Sequence, residues 1–150
     1  MPHSYSNLLL HVVFATKDRR PFINPALESR LFPYMAGIVR QLGGKPFLIN
    51  GAEDHVHLLV DLPPTIAVSD AVGKLKGSSS HWVHETFPDR LMFAWQRGYA
   101  AFSVSKSHSS SVATYIEGQK EHHRKRSFHD EFVLLLRQHG ISVDENYLWT

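Results

Sequence analysis

The sequence predicts an α+β fold in which an antiparallel four-stranded sheet carries helices on one face. Two observations lead there. Apolar residues alternate with period two in four short segments and recur at three-to-four spacing in others, giving the order β-α-β-β-α-β followed by two more helices. That order is the split β-α-β pattern of ferredoxin-like folds. The chain is also the right size for one such unit: 150 residues, 43% of them hydrophobic, suit a single packed domain over 1–150 and exclude wholesale disorder.

Residues Ser6 to Thr16 read as the first strand, with Leu8, Leu10, Val12 and Phe14 on one face and Leu9, His11, Val13 and Ala15 on the other. Both faces are largely apolar, which predicts a central position. Pro25 marks a first helical turn, and Leu27, Leu31, Met35, Ile38, Val39 and Leu42 give the helix one apolar stripe before Gly43-Gly44 stops it. Lys45 to Ala52 and His55 to Leu62 form a hairpin across the polar turn Glu53-Asp54, and Phe47 and Ile49 are expected to face the same way. A second helix runs from about Ala67 to Thr86, where Gly77 and the serines 78–80 suggest a kink or a tight contact. Gly98 to Val104 is the fourth strand. The serine-rich stretch 105–111 is expected to supply an N-cap to a helix over about 112–124, and another helix covers about 130–139. An apolar tail, Tyr147-Leu148-Trp149, is expected to dock on a surface or a partner.

Composition narrows the chemistry. There is no cysteine, so disulfides, thiolate metal sites and thiol nucleophiles are excluded; a metal would be held by imidazole, carboxylate or amide oxygen. Apolar runs are far shorter than the ~20 residues that span a bilayer, and no secretory leader pattern is present, so a cytoplasmic protein is expected. The net charge of +2 is small, but cations cluster locally. Lys120, Arg124, Lys125 and Arg126 surround His122 and His123; Lys17, Arg19 and Arg20 form a second group, and Lys74 and Lys76 a third. Such clusters suit a polyanion, although solvated surface and a helix C-terminus carry them too. The 11 histidines are the unusual feature.

Two constellations carry chemistry. In Asp54-His55-Val56-His57-Leu58-Leu59-Val60 the two imidazoles lie on one strand face, about 7 Å apart along it, close enough to share a cation or to be separately hydrogen-bonded. Tyr115 and Gln119 are four apart on the third helix and share its face. The tyrosine is a nucleophile if a positive charge or a polarised electrophile is near, and a core residue otherwise. The glutamine offers a hard, neutral oxygen to a two-histidine site.

Together these segments resemble the single-tyrosine HUH transposases of TnpA type, of the insertion sequence 200/605 family. The histidine string resembles the HUH motif (His, hydrophobic, His), and Tyr115-Ile116-x-x-Gln119-x-x-His122-His123 the nucleophile helix. Four further stretches match in order: Thr16-Lys17-x-Arg19-Arg20, Leu75-Lys76-Gly77-x-Ser79-Ser80, Trp95 to Ser105, and Tyr147-Leu148-Trp149. The resemblance implies a ferredoxin-like core and a homodimer with active sites shared in trans. It implies that a divalent metal, Mg²⁺ or Mn²⁺, is held by His55, His57 and Gln119, with Tyr115 as the catalytic nucleophile. The substrate it implies is single-stranded DNA with hairpin ends, cut and rejoined through a 5′-phosphotyrosine. Lys17, Arg19, Arg20, Lys74, Lys76, Lys120, His122, His123 and Arg124 are the expected DNA contacts. Family members often have glycines just before the tyrosine helix; here that stretch is Ser107 to Ser111, and the nearest glycine is Gly118. The other readings are a non-catalytic single-stranded nucleic-acid binder and a metal-dependent phosphodiesterase that uses activated water.

Overall fold

The computed structural model describes residues 4–144, so the Tyr147-Leu148-Trp149 tail lies outside the described residues. Four strands, β1 (Leu9–Ala15), β2 (Lys45–Ala52), β3 (His55–Asp61) and β4 (Ala100–Ser103), form one sheet in the order β2-β3-β1-β4. All pairings are antiparallel. This is the ferredoxin-like arrangement that the sequence predicts.

Helices α1 (Pro25–Gln41) and α2 (Val68–Thr86) cover one face. Asn24 caps α1 by accepting from Leu27 N–H, ahead of Pro25 in the first turn. Its apolar stripe meets Val12, Phe14, Val56, Leu58 and Val60 of the central strands. Helix α2 is continuous through Gly77, where no atom lies within 4 Å of an added Cβ. The tight contact is instead at buried Ser79, whose hydroxyl donates to Leu75 O and accepts from Trp95 Nε1. A register shift between Pro46 and Leu48 interrupts β2, leaving Phe47 exposed while Ile49 packs toward α1 and α2. The bulge therefore breaks the shared facing expected of these two residues.

The other face of the sheet is covered as well. Helices α3 (Ser109–Glu117), α4 (Gln119–His122) and α5 (Phe128–Gln138) lie there. Phe128, Phe132, Leu135 and Leu136 pack on Val13, Ala15, Ala100 and Phe102, while Ile116 packs on Leu9 and Leu59. Both faces of β1 are thus buried, as its two apolar faces predict.

Two local expectations change. The single helix expected over 112–124 is two, because Gly118 separates α3 from α4 with its N–H shared between Thr114 O and Tyr115 O. The serines do not cap α3: its N-cap is His108, with no side-chain capping bond. Ser109 and Ser111 donate back to Lys106 O and His108 O instead. Helix α5 does have a serine cap, Ser127, which accepts from Asp130 N–H.

Candidate metal and nucleophile site

Strand alternation puts His55 and His57 on the α3–α5 face of β3, opposite Ala15 and Val13 of β1. Both are fully buried. Three later segments converge on them. Gln119 Oε1 lies 2.9 Å from His55 Nε2. Glu131 of α5 places Oε1 3.1 Å from His57 Nε2, 3.5 Å from His55 Nε2 and 3.0 Å from His123 Nε2. Its Oε2 accepts from Gln119 Nε2 at 2.9 Å and from the Tyr115 hydroxyl. The i, i+4 pair Tyr115 and Gln119 therefore still acts on one face, despite the break at Gly118.

The outer nitrogens of the pair are held too. Asp54 Oδ1 is 2.8 Å from His55 Nδ1, and His11 Nε2 is 2.7 Å from His57 Nδ1. His11 also stacks on His57 with ring centroids 5.0 Å apart. Such partners fix the orientation and tautomer of a metal-ligating imidazole.

The electrostatics follow from burial and a single carboxylate. Desolvation, with the neighbouring His57, lowers His11 to about 3. Desolvation lowers His57 to about 4, although the Glu131 hydrogen bond opposes it. Both rings are neutral at pH 7. Burial alone would raise the Glu131 carboxyl, but bonds from His123 and His57 outweigh it and hold the group well below the usual carboxylate range. Burial, and then the Glu131 bond and charge, push the Tyr115 phenol above its ordinary value. In this arrangement the phenol is a poor nucleophile until the Glu131 charge is offset.

The donor set fits a divalent cation. His55 Nε2, His57 Nε2 and Glu131 Oε1 form a buried group whose ligand atoms lie within 4.8 Å of one another. His55 faces oxygen on both sides, Asp54 at Nδ1 and Gln119 and Glu131 at Nε2. A cation placed among Nε2 and the two oxygens would be coordinated by all three. Two imidazoles with a carboxylate and an amide oxygen form a mixed nitrogen and oxygen donor set for a divalent metal.

Of the expected site residues, the structure brings His55, His57, Gln119 and Tyr115 together. The basic residues fare differently. Lys17, Arg19, Arg20 and Arg124 are exposed. Lys74 and Lys76 lie on α2, across the sheet from the site. Lys76 donates to Gln96 O and Gly98 O, stands over the Phe14 ring at 5.2 Å, and is lowered by burial to about 8. Lys120 is engaged by Glu28, Asn50 Oδ1 and Gly51 O, tying α4 to α1 and β2. His123 belongs to the buried network, and exposed His122 lies against the Tyr115 ring at 5.1 Å.

Sequence reasoning missed Glu131 and His11 and left Asp54 without a role. The signals were there: Glu131 interrupts the apolar stripe Phe128, Phe132, Leu135, Leu136, and His11 interrupts an apolar strand face. A charge or imidazole in such a stripe needs a buried partner.

Comparison with known proteins gives the family. The family model described as "Transposase IS200 like" matches residues 4–119. The transposase for insertion sequence element IS200 of Salmonella typhimurium is 35% identical over 130 residues, covering 81% of this chain and 82% of that protein. The ISDra2 transposase TnpA of Deinococcus radiodurans is 27% identical over 116 residues, 74% of this chain and 83% of that protein. Among solved structures, a chain described as a transposase from Deinococcus radiodurans aligns with a TM-score of 0.64 at 26% identity, covering 79% of this chain and 95% of that one. A REP-associated tyrosine transposase solved with a REP hairpin shares the fold, with a TM-score of 0.61 at 13% identity over 82% of this chain and 73% of that one. The chain belongs to the IS200-like transposase family.

Proposed function

We propose that this transposase cuts and rejoins single-stranded DNA at hairpin-flanked element ends, with 1–150 acting as one domain and Tyr115 as the nucleophile. The observation that carries the reading is that Tyr115, Gln119, His55 and His57 all meet on Glu131. Hairpin ends are supported by the shared fold of the REP-associated transposase that was solved with a REP hairpin.

His55, His57, Gln119 and Glu131 would hold a divalent cation, Mg²⁺ or Mn²⁺. When bound, such a cation would supply Lewis-acid chemistry toward the scissile phosphate. Glu131 and the His122 ring orient the Tyr115 hydroxyl. Its oxygen attacks phosphorus in line: the new P–O(Tyr) bond forms as the bond to the 3′ oxygen breaks. The phenol proton passes to Glu131 Oε2, the acceptor already in contact, and from there to the departing oxygen, which becomes a 3′-OH. The 5′-phosphotyrosine keeps the phosphoester energy, so a second 3′-OH reverses the step and joins strands. Asp54 and His11 hold the ligating imidazoles in orientation.

The test is incubation with end-labelled hairpin DNA and Mn²⁺. An SDS-stable protein–DNA adduct is expected, dependent on the cation and lost in Tyr115→Phe. Cleavage that survives Tyr115→Phe with no adduct would assign the chemistry to activated water. Binding with no cleavage would make the chain a single-strand binder.

A further inference from the structure

Three stretches, Thr16-Lys17-x-Arg19-Arg20, Leu75-Lys76-Gly77-x-Ser79-Ser80 and Trp95 to Ser105, supply none of the side chains that meet on Glu131. The structure nevertheless joins all three in one hydrogen-bonded chain that ends on the metal site. It begins on α2. The Lys76 ammonium donates to Gln96 O at 2.7 Å and to Gly98 O, and Ser79 Oγ accepts from Trp95 Nε1 at 2.9 Å. These bonds fix the segment 95–98 against the helix. Buried Gln96 then accepts from Asp18 N–H at its Oε1, at 2.9 Å, and donates its own N–H to Ala15 O. Lys17 N–H donates to Ala94 O at 2.9 Å. Asp18 and Arg19 have φ of 55° and 53°, two successive non-glycine residues in the left-handed region. Such strain persists where the surroundings over-determine it, and the bonds to 94–96 do so here.

Thr16, wholly buried just past the end of β1, passes the restraint on. Its N–H and Oγ1 both donate to Asp54 O, at 2.9 and 3.1 Å, and Oγ1 also donates to Arg20 O at 2.6 Å. Ile23 N–H donates to Glu53 O at 2.9 Å. Both residues of the β2–β3 turn are thus tied to the β1–α1 loop. Asp54 depends on this, because its side chain is 29% exposed while the His55 ring that it meets at 2.8 Å is fully buried. An ionised carboxylate only accepts, which places the ring proton on Nδ1 and leaves the Nε2 lone pair for a cation. A carboxylate holds a ligating imidazole in this way only if its own backbone is held.

We propose that Thr16, Gln96 and Lys76 are positioning residues for the metal centre: they brace the β2–β3 turn so that Asp54 keeps Nε2 of His55 turned to the cation. The proposal rests on the reading of His55 as a metal ligand. It gives these three stretches a task inside the fold, where their cations alone suggest contact with DNA.

The test uses the whole chain, with Mn²⁺ as the probe and calorimetry as the measurement. Asp54→Asn should weaken Mn²⁺ binding ~10–100-fold. Thr16→Val keeps the side-chain shape but removes the hydroxyl, and should weaken binding by up to ~10-fold through the same partner; Thr16→Ser restores the hydroxyl and should bind like the wild type. The double variant Thr16→Val/Asp54→Asn should bind no more weakly than Asp54→Asn alone, because both changes act through one contact. In the metal-free protein, long-range proton–nitrogen spectra of Thr16→Val should show the His55 ring shifting from the Nδ1–H form toward a mixture, with the His57 ring unchanged. A general loss of stability would not single out one ring. Lys76→Met carries the same expectations from the far end of the chain and serves if Thr16→Val does not fold. Wild-type Mn²⁺ affinity and a wild-type His55 ring in either folded variant, or additive losses in the double variant, would overturn the brace alone. Mn²⁺ binding that survives His55→Ala unchanged would overturn the ligand reading, and the brace with it.

Discussion

His11 shows how much of this site depends on residues outside His55, His57, Gln119 and Tyr115. It presses on His57 Nδ1 from the next strand, and both rings are buried. His11→Phe keeps a flat ring but removes the nitrogen that fixes the His57 tautomer. Loss of such an outer partner costs ~10–100-fold in metal affinity; Mn²⁺ titration by calorimetry measures it, and an unchanged affinity would remove His11 from the site. The same residues set a pH dependence. His11 and His57 fall from 6.5 to about 3 and about 4 on folding, so the folded state favours their neutral forms. The stability this gives is complete above pH ~6.5, the unfolded value, and is lost progressively as the pH falls toward 4. Glu131, held low in the folded state, acts in the same direction at still lower pH. Thermal melting from pH 7.5 down to 4 should show a falling melting temperature, and His11→Phe should fall less steeply.

At the scale of elements, the tyrosine helix is a docked piece. Its contact with the sheet joins an apolar anchor, Ile116, to a polar clasp in which Asn50 Nδ2 donates to Ile116 O and Glu117 O and Lys120 reaches Glu28 and Asn50. Asn50→Ala removes two of these bonds from the α3 C-terminus. At ~0.5–1.5 kcal/mol net per bond, the loss should appear as faster hydrogen exchange in α3 and α4 with little change in α1 and α2. Equal exchange everywhere would show that the clasp holds nothing. The elements are also where the sequence was most legible. Period-two alternation around Val12 and Phe14, and the stripe from Leu27 to Val39, locate β1 and α1 because each pattern reflects one buried face. The Gly118 break and the Phe47 bulge were not legible, since both depend on what the neighbouring chain presents. The site divides in the same way. His55, His57, Tyr115 and Gln119 are visible because alternation or one helical turn pairs them locally. Glu131 joins them across 74 residues from His57, and no local period reports a contact of that separation. Lys76 and Lys120 looked like free cations because a charge in the sequence does not show which carbonyl or carboxylate it meets.

For the whole molecule, no described helix is long and apolar enough to cross a membrane, and His55, His57, Gln119 and Tyr115 come together within one chain. In the homodimer that the sequence resemblance implies, the α3–α4 segments would exchange so that the histidine pair of one subunit works with the tyrosine of the other. Mixing His57→Ala with Tyr115→Phe subunits tests this, because each mixed dimer then contains one intact set. DNA cleavage that stays at background in the mixture would sink the shared arrangement. Cleavage restored to about a quarter of the wild-type level is expected, since about half of randomly paired dimers are mixed and each holds one of its two sites intact.

The family match ends at residue 119, whereas Glu131 and His123 lie beyond it. His55, His57, Gln119 and Tyr115 lie inside the matched stretch, and the carboxylate that gathers them comes from the helix that follows it. If the proposed site is right, changes in that last helix would retune cation binding and the restraint on the phenol with no change in any of those four residues. Grafting the C-terminal segment of another member onto this core would transplant those two properties together.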